Sequence, residues 1–122
     1  MARILLIDNA KEQRRALMLA LQAKGHEVHE AEDGKDGIEN LRQRSYELVI
    51  TEVLLTELDG SEVVTYLDAQ AVKPKIIAYT AGNSQIPAEQ ALLLVKSQVD
   101  AALIGPVEET ELAALADKLL AA

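Results

Sequence analysis

Apolar residues occur along this chain in short continuous runs that alternate with longer amphipathic stretches. Short apolar runs are typical of strands buried on both faces, whereas the stretches between them have helical spacing. The predicted strands cover residues 3–7, 26–31, 47–51, 75–79 and 99–104. The predicted helices cover residues 11–24, 35–44, 61–69, 87–98 and 108–120.

The strict alternation of five strands with five helices predicts an α/β fold. In such a fold a parallel sheet is covered by helices on both faces. Right-handed crossovers between parallel strands leave few topologies for this element order. A length of 122 residues fits one domain, so we expect a single domain over residues 1–122.

Composition narrows the classes of function. Hydrophobic residues make up 49% of the chain, but there is no Phe or Trp and only three Tyr, so we expect an aliphatic core. The net charge of −8 argues against direct binding of nucleic acid or anionic membranes, which need a basic surface. No apolar run has the length of a membrane span, and the first residues lack a signal-peptide pattern. We therefore expect a cytoplasmic protein.

Polar residues follow the predicted strands at their carboxyl ends, where open parallel sheets bind ligands. Asp8 and Asn9 follow the first strand, Glu52 the third and Thr80 the fourth, and Gly105 follows the fifth. Neighbouring first and third strands would bring Asp8, Asn9 and Glu52 together. Two carboxylates and a carboxamide are ligands that suit Mg²⁺.

Five segments carry a resemblance to a known family: ILLIDN, AEDGKDGIENL, ELVITEVLLTELDG, IIAYTAG and DAALIGPVE. With this spacing the chain resembles, over essentially its whole length, the receiver domains of two-component response regulators. The resemblance implies a flavodoxin-like (βα)5 sheet with strand order 2-1-3-4-5. It also implies a role in signal transduction, in a phosphorelay, with another signalling protein or an output domain as partner.

The family pattern has two acids after the first strand, a phosphoacceptor Asp ending the third, a Ser or Thr ending the fourth and a Lys before Pro after the fifth. By this resemblance Asp8 is the first acid and Thr80 the hydroxyl. Asn9 stands in place of the second acid, Glu52 in place of the phosphoacceptor, and Gly105 in place of the Lys.

Two further departures follow from the same resemblance. Ala102 occupies the position of the aromatic switch residue, and Thr56 replaces a Pro that is common in the loop after the third strand. The pocket therefore keeps its hydroxyl but loses the aromatic side chain that would report an activated state.

These departures predict a disabled phosphorylation site. Phosphoryl transfer depends on positioning and charge neutralisation, and one lost electrostatic donor costs about 2.7–4 kcal/mol in a transition state. We therefore expect a non-enzymatic, atypical receiver that acts as a phosphorylation-independent interaction module. We expect no required cofactor or metal, with at most weak Mg²⁺ binding by Asp8 and Glu52. The like charges of these two carboxylates predict a raised pKa for one of them.

Three alternatives remain open at this point. The first is a working phosphoacceptor that takes a phosphoryl group from a histidine kinase by an unusual route. Glu52 is a candidate mimic of a phosphorylated Asp, which would make the receiver constitutively active. The crevice is also a candidate site for a small-molecule sensor, although no glycine-rich phosphate loop is present.

The predicted fourth helix is apolar nearly all round. A helical wheel places Leu93 among polar residues and so outward, whereas the family resemblance directs Ala91, Leu92 and Val95 outward. Both interpretations leave surplus apolar surface, which is typical of a partner site. With Ile104 on the fifth strand, it predicts a partner or homodimer face made by the fourth helix, fifth strand and fifth helix.

Overall fold

A computed structural model describes residues 1–122 and contains one parallel five-stranded sheet in the order β2-β1-β3-β4-β5. This order confirms the predicted flavodoxin-like fold. The strands are β1 (Arg3–Ile7), β2 (Glu27–Ala31), β3 (Leu48–Glu52), β4 (Lys75–Thr80) and β5 (Ala101–Ile104). The helices are α1 (Lys11–Ala23), α2 (Gly34–Gln43), α3 (Gly60–Asp68), α4 (Ala88–Leu92) and α5 (Glu109–Ala121). No helix is long and apolar enough to cross a membrane.

Strand pairing brings the carboxyl ends of the strands to one edge of the sheet. Ile7 lies opposite Ala31 on one side and Thr51 on the other. On the far side of the sheet, Thr80 is paired with Ile104. The residues that follow β1, β3 and β4 therefore meet at the same edge, as the sequence predicts.

Alternate residues of the central strands fill two separate cores. Leu5 and Ile7 point to the face covered by α2, α3 and α4. Ile4 and Leu6 point to the opposite face, which α1 and α5 cover. Burial of one such side chain stabilises the fold by about 1.5–3 kcal/mol, so both faces contribute. Continuous apolar strands are therefore the expected sequence pattern here.

The core is less aliphatic than the composition predicts. Tyr79 of β4 is 1% exposed and lies in the core beneath α1 and α5, and Tyr46 is also buried. Each buried phenol has a partner, because the Tyr79 hydroxyl contacts Asp8 and the Tyr46 hydroxyl contacts His29. Buried tyrosines are acceptable in a core when the hydroxyl is hydrogen-bonded in this way.

The predicted helix over residues 87–98 is shorter in the structure. Helix α4 ends at Leu92, and a 3₁₀ turn follows at Lys96–Gln98. The backbone tightens because the N–H of Leu94 bonds the carbonyl of Ala91, and that of Val95 bonds the carbonyl of Leu92. These i to i−3 bonds have 3₁₀ pitch, in which residues three apart are aligned. Leu92 and Val95 therefore lie on the same side.

That alignment corrects the outward face of this segment. Ala91, Leu92 and Val95 are buried in the core beside β4, so the prediction that they form a partner face is wrong. Leu93 is 71% exposed and Leu94 is 56% exposed. The helical wheel was therefore right for Leu93. Ile104, at the end of β5, is 56% exposed and lies on the outer surface.

Candidate functional site at the carboxyl ends of the strands

Asp8 follows β1 and is only 3% exposed. Its Oδ1 accepts a hydrogen bond from the Ala10 N–H (2.9 Å), and its Oδ2 accepts from Gln13 Nε2 (3.1 Å) and the Tyr79 hydroxyl (2.5 Å). A buried carboxylate needs such donors because it has left water. Three donors from the chain itself thus satisfy Asp8.

Tyr79 is a site residue that sequence reasoning missed. Burial, followed by the negative charge of Asp8, raises the pKa of the Tyr79 hydroxyl well above its usual value. The phenol therefore stays protonated and donates to Asp8. The available signal was a tyrosine in the otherwise aliphatic β4 run, directly before Thr80.

Asn9 connects three loops at the rim of the site. Its Nδ2 donates to the carbonyl of Glu32 (2.5 Å) and to Thr56 Oγ1 (3.0 Å), and its Oδ1 accepts from the Thr56 N–H (3.1 Å). A carboxylate at position 9 could not donate to Glu32, and a proline at position 56 has no N–H. The departures at Asn9 and Thr56 are therefore partners of each other.

The loop that carries Thr56 approaches α2 closely. Glu57 and Leu58 have positive φ values of 43° and 67°, and the Glu57 carbonyl accepts from the Lys35 N–H at 2.8 Å. A Cβ at Gly34 would lie 1.8 Å from the Leu58 carbonyl oxygen, so only glycine allows this approach. Gly34 thus helps to place Thr56 beside Asn9.

Glu52 ends β3 and is half-buried, with its side chain turned back onto its own loop. Its Oε2 accepts hydrogen bonds from the N–H groups of Val53 (2.7 Å) and Leu54 (3.1 Å). Burial raises the pKa of Glu52, while the Thr80 hydroxyl and these two amides act in the opposite direction. A raised pKa agrees with the prediction, but the expected main cause was wrong, because the charge of Asp8 contributes least.

The β4–β5 side of the site carries few polar groups. Thr80 is buried, and its Oγ1 accepts a hydrogen bond from the Gly82 N–H at 3.1 Å. Gly105, which precedes a cis peptide to Pro106, donates its N–H to the Thr80 carbonyl at 2.7 Å. Ala102 is paired with Ala78 in the sheet. Neither Gly105 nor Ala102 supplies a charged or aromatic group.

The predicted candidate metal ligands do not fit Mg²⁺ in this arrangement. No group of three or more His, Cys, Asp or Glu side chains could hold a metal ion. The Asp8 carboxylate already accepts three hydrogen bonds, and the Asn9 Oδ1 accepts one. Mg²⁺ requires oxygen ligands in a near-octahedral arrangement. Here those oxygens are turned toward protein donors.

Two cavities differ sharply in their chemistry. A cavity of about 350 Å³ at the rim is lined only by Asn9, Glu32, Asp33 and Thr56. A larger groove of about 510 Å³ lies between α4 and β5, and we call it the α4–β5 groove. Its lining residues are Pro87, Glu89, Gln90, Leu92, Leu93, Lys96, Ala102 and Ile104.

Comparison with known proteins gives a consistent result. Residues 4–117 match the model of the response regulator receiver domain. The chain is 34% identical over 108 residues to the transcriptional regulatory protein AfsQ1 of Streptomyces coelicolor, covering 88% of this chain and 46% of that protein. It is 30% identical over 80 residues to the transcriptional regulatory protein SrrA of Staphylococcus aureus, covering 66% and 33%. The chain thus spans less than half the length of these curated relatives.

Solved structures show the same fold. The receiver domain of the Francisella response regulator 1452 has a TM-score of 0.86 at 21% identity, over 99% of this chain and 98% of that one. The chemotaxis response regulator CheY4 of Vibrio cholerae has a TM-score of 0.82 at 21% identity, over 98% of both chains. The match to the family model covers most of the sequence, and the strand order agrees with it. This chain therefore belongs to the response regulator receiver domain family.

Proposed function

We propose that this domain is an atypical, cytoplasmic receiver that takes up no phosphoryl group at Glu52 and acts as a non-catalytic protein-interaction module. The observation that carries the proposal is the pairing of Asn9 with Thr56, two departures from the family pattern that hold each other in place. A site that had merely lost one charge would not need a matching partner in another loop.

The charges in the pocket support the same proposal. Phosphoryl transfer requires an aligned acceptor and cations that neutralise the transferred group. The Glu52 carboxylate is held by hydrogen bonds from the amides of Val53 and Leu54, so it would have to leave these donors to act as an acceptor. Gly105 supplies no cation to replace the family's Lys. The acidic residues Asp8 and Glu52 would repel an incoming phosphate donor.

The α4–β5 groove is the surface that we propose for the partner. Leu93 and Ile104 expose apolar side chains there, and the small side chain of Ala102 also lines the groove. Exposed apolar surface of this kind is typical of interaction sites. The partner is another signalling protein or an output domain, or a second copy of the chain in a homodimer.

Incubation with acetyl phosphate and Mg²⁺, followed by intact-mass measurement, tests the absence of phosphorylation. We expect no phosphoryl adduct on the wild-type domain. The matched control is the triple variant Asn9→Asp, Glu52→Asp, Gly105→Lys, which restores the family's charged groups. An adduct on the control alone supports the proposal, and an adduct on wild-type Glu52 contradicts it.

Sedimentation velocity tests the homodimer form of the interaction. We expect Leu93→Glu to weaken self-association because it places a charge in the α4–β5 groove. Leu19→Glu is the matched control, since Leu19 is also an exposed leucine but lies on α1. Equal loss in both variants would contradict the proposed surface. A wild-type monomer at every concentration would exclude the homodimer and leave a heterologous partner.

The sensor alternative has weaker support than the interaction module. The rim cavity is lined only by polar residues and has no aromatic wall. Ligand pockets are predominantly apolar, with a small number of placed polar groups. Constitutive activity through Glu52 has a direct test. If Glu52 mimics a phosphorylated Asp, partner affinity should fall with both Glu52→Ala and Glu52→Asp, and an unchanged affinity in both variants would exclude the mimic.

A further inference from the structure

The loops at the carboxyl edge are joined by side chains that are distant in sequence. Asn9 reaches the Glu32 carbonyl, 23 residues away, and both the amide and hydroxyl of Thr56, 47 residues away. These contacts use both the Nδ2 donor and the Oδ1 acceptor of the Asn9 carboxamide. The loops after β1, β2 and β3 are thus joined by hydrogen bonds from one side chain.

A second connection joins β1 to β4 in the interior. The buried Tyr79 hydroxyl donates to Asp8, 71 residues away, and Gln13 of α1 donates to the same carboxylate oxygen. The Asp8 carbonyl also accepts from Arg14 (2.7 Å), whose guanidinium forms an ion pair with Glu30 of β2 at 2.9 Å. The Asp8 carboxylate is therefore held by three hydrogen bonds from the chain, and its backbone carbonyl is held by Arg14.

We propose that Asn9 with Thr56 and Asp8 with Tyr79 form a metal-independent clamp that takes the place of a bound divalent cation at this edge. An acid pair in this position brings two like charges together, and a bound cation would relieve their repulsion. Asn9 removes one charge and adds two N–H donors, while Tyr79 supplies an O–H donor to the remaining acid. A cation would have to displace these bonds before it could bind Asp8.

The clamp deepens the proposed function and rests on it in one respect. An interaction module that works without phosphorylation needs a site whose loops are ordered in the absence of Mg²⁺ and phosphate. The clamp provides that order through the chain's own side chains. Its test measures metal response, which is a different property from phosphoryl transfer.

Thermal unfolding with and without millimolar Mg²⁺ is the test. We expect the wild-type Tm to be the same under both conditions. The double variant Asn9→Asp, Tyr79→Phe should lose roughly 4 °C or more without Mg²⁺, because the two bonds from Asn9 Nδ2 and the one from the Tyr79 hydroxyl are lost. Millimolar Mg²⁺ should then recover at least half of that loss, since Asp8 and the new acid are free to bind it.

Two control variants separate the clamp from general damage. Tyr46→Phe also removes a buried phenol hydroxyl, but its partner is His29, outside the clamp (2.7 Å). Thr56→Ser keeps both the amide and the hydroxyl that Asn9 uses. We expect the Tm of Tyr46→Phe to fall and that of Thr56→Ser to stay near wild type, and neither variant should respond to Mg²⁺.

Amide NMR of the wild-type domain during a Mg²⁺ titration keeps the proposal falsifiable if the double variant does not fold. Unchanged amide chemical shifts of Asp8, Asn9 and Thr56 during the titration support the clamp. A wild-type Tm that rises with Mg²⁺, together with shifts of these amides, overturns it. If Mg²⁺ binds but acetyl phosphate yields no adduct, the clamp fails and the proposed function stands. If the domain does not respond to Mg²⁺ but acetyl phosphate yields an adduct, the clamp stands and the proposed function fails.

Discussion

The two sides of the site depart from the family pattern in different ways. On the β1–β3 side, Asn9 and Thr56 bond each other, and Asp8 accepts a hydrogen bond from Tyr79, which reaches it from β4. On the β4–β5 side, Gly105 and Ala102 have lost side chains without any replacement. We call the β1–β3 side the rebuilt side, because its polar groups have new hydrogen-bond partners. We call the β4–β5 side the emptied side, because small residues stand there in place of the family's larger ones.

Burial explains the Asp8–Tyr79 part of the difference, whereas Asn9 and Thr56 are exposed and are held by each other's hydrogen bonds. Asp8 and Tyr79 are inside the protein, where an unpaired polar group costs about 1–3 kcal/mol, so a lost partner must be replaced. Gly105 and Ala102 are partly exposed, and water can satisfy the groups around them. The emptied side also borders the α4–β5 groove, where missing side chains open room for a partner.

Within the emptied side, neighbouring leucines of α4 should have very different effects on stability. Leu92 is buried, so Leu92→Ala should lower the free energy of unfolding by about 2–5 kcal/mol. Leu93 is exposed, so Leu93→Ala should change it by no more than about 0.5 kcal/mol. Urea denaturation measures both values. A larger loss for Leu93→Ala than for Leu92→Ala would mean that the segment is turned as the family resemblance suggested.

On the rebuilt side, Asp8→Ala should destabilise the fold by about 1–3 kcal/mol, because it leaves the buried Tyr79 hydroxyl without its acceptor. Gly105→Ala is the comparison on the emptied side. A Cβ there would lie 3.3 Å from the Ala81 nitrogen, so we expect a loss of less than about 1 kcal/mol. A larger loss at Gly105 than at Asp8, measured by urea denaturation, would reverse the comparison.

The rim pair should be energetically coupled. A double-mutant cycle of Asn9→Ala and Thr56→Val should give an interaction energy of about 0.5–1 kcal/mol, at the low end of the usual range because both residues are exposed. Asn9→Ala combined with Leu93→Ala is the control pair across the two sides. Its effects on the free energy of unfolding should simply add, and additivity in both cycles would argue against a clamp.

Glu52 should make a small, pH-dependent contribution. Its pKa is raised above 4.5 in the folded state, so the folded protein binds the proton more tightly than the unfolded chain. This contribution to stability is present below pH 4.5 and is lost as pH rises through the raised pKa. Glu52→Gln should remove that dependence and gain roughly 0.5 kcal/mol or less at neutral pH, since solvent screens a half-exposed carboxylate.

Comparing the stability of wild type and Glu52→Gln across this pH range tests the prediction. The difference between them should grow in favour of the variant as pH rises from 4.5. A difference that stays constant, or that grows in favour of wild type, would show that the folded-state pKa is not raised.

The sequence predicted the sheet, and that the residues after β1 and β3 lie at the same edge, because both depend on local patterning and on parallel pairing. It could not predict the Asp8–Tyr79 bond, which joins residues 71 positions apart and depends on tertiary packing. The face of α4 was ambiguous because a 3.6-residue period does not describe a segment that tightens to 3₁₀ pitch after Leu92.

The main cause of the Glu52 pKa shift was missed for a related reason. Sequence shows that two carboxylates approach each other, but it does not show how much water each one keeps. In the structure, burial is the largest cause of the raised Glu52 pKa, and the charge of Asp8 is the smallest. The Asp8 carboxylate accepts hydrogen bonds from three donors of its own.

Amide NMR of the wild-type domain with Mg²⁺ and beryllofluoride, a phosphoryl mimic, tests the central claim most directly. The triple variant Asn9→Asp, Glu52→Asp, Gly105→Lys serves as the positive control. We predict that the amides of Glu52, Thr80 and β5 do not move in wild type. Concerted shifts of Glu52, Thr80 and β5 in the wild-type domain would show that the phosphorylation switch survives, and would contradict the account.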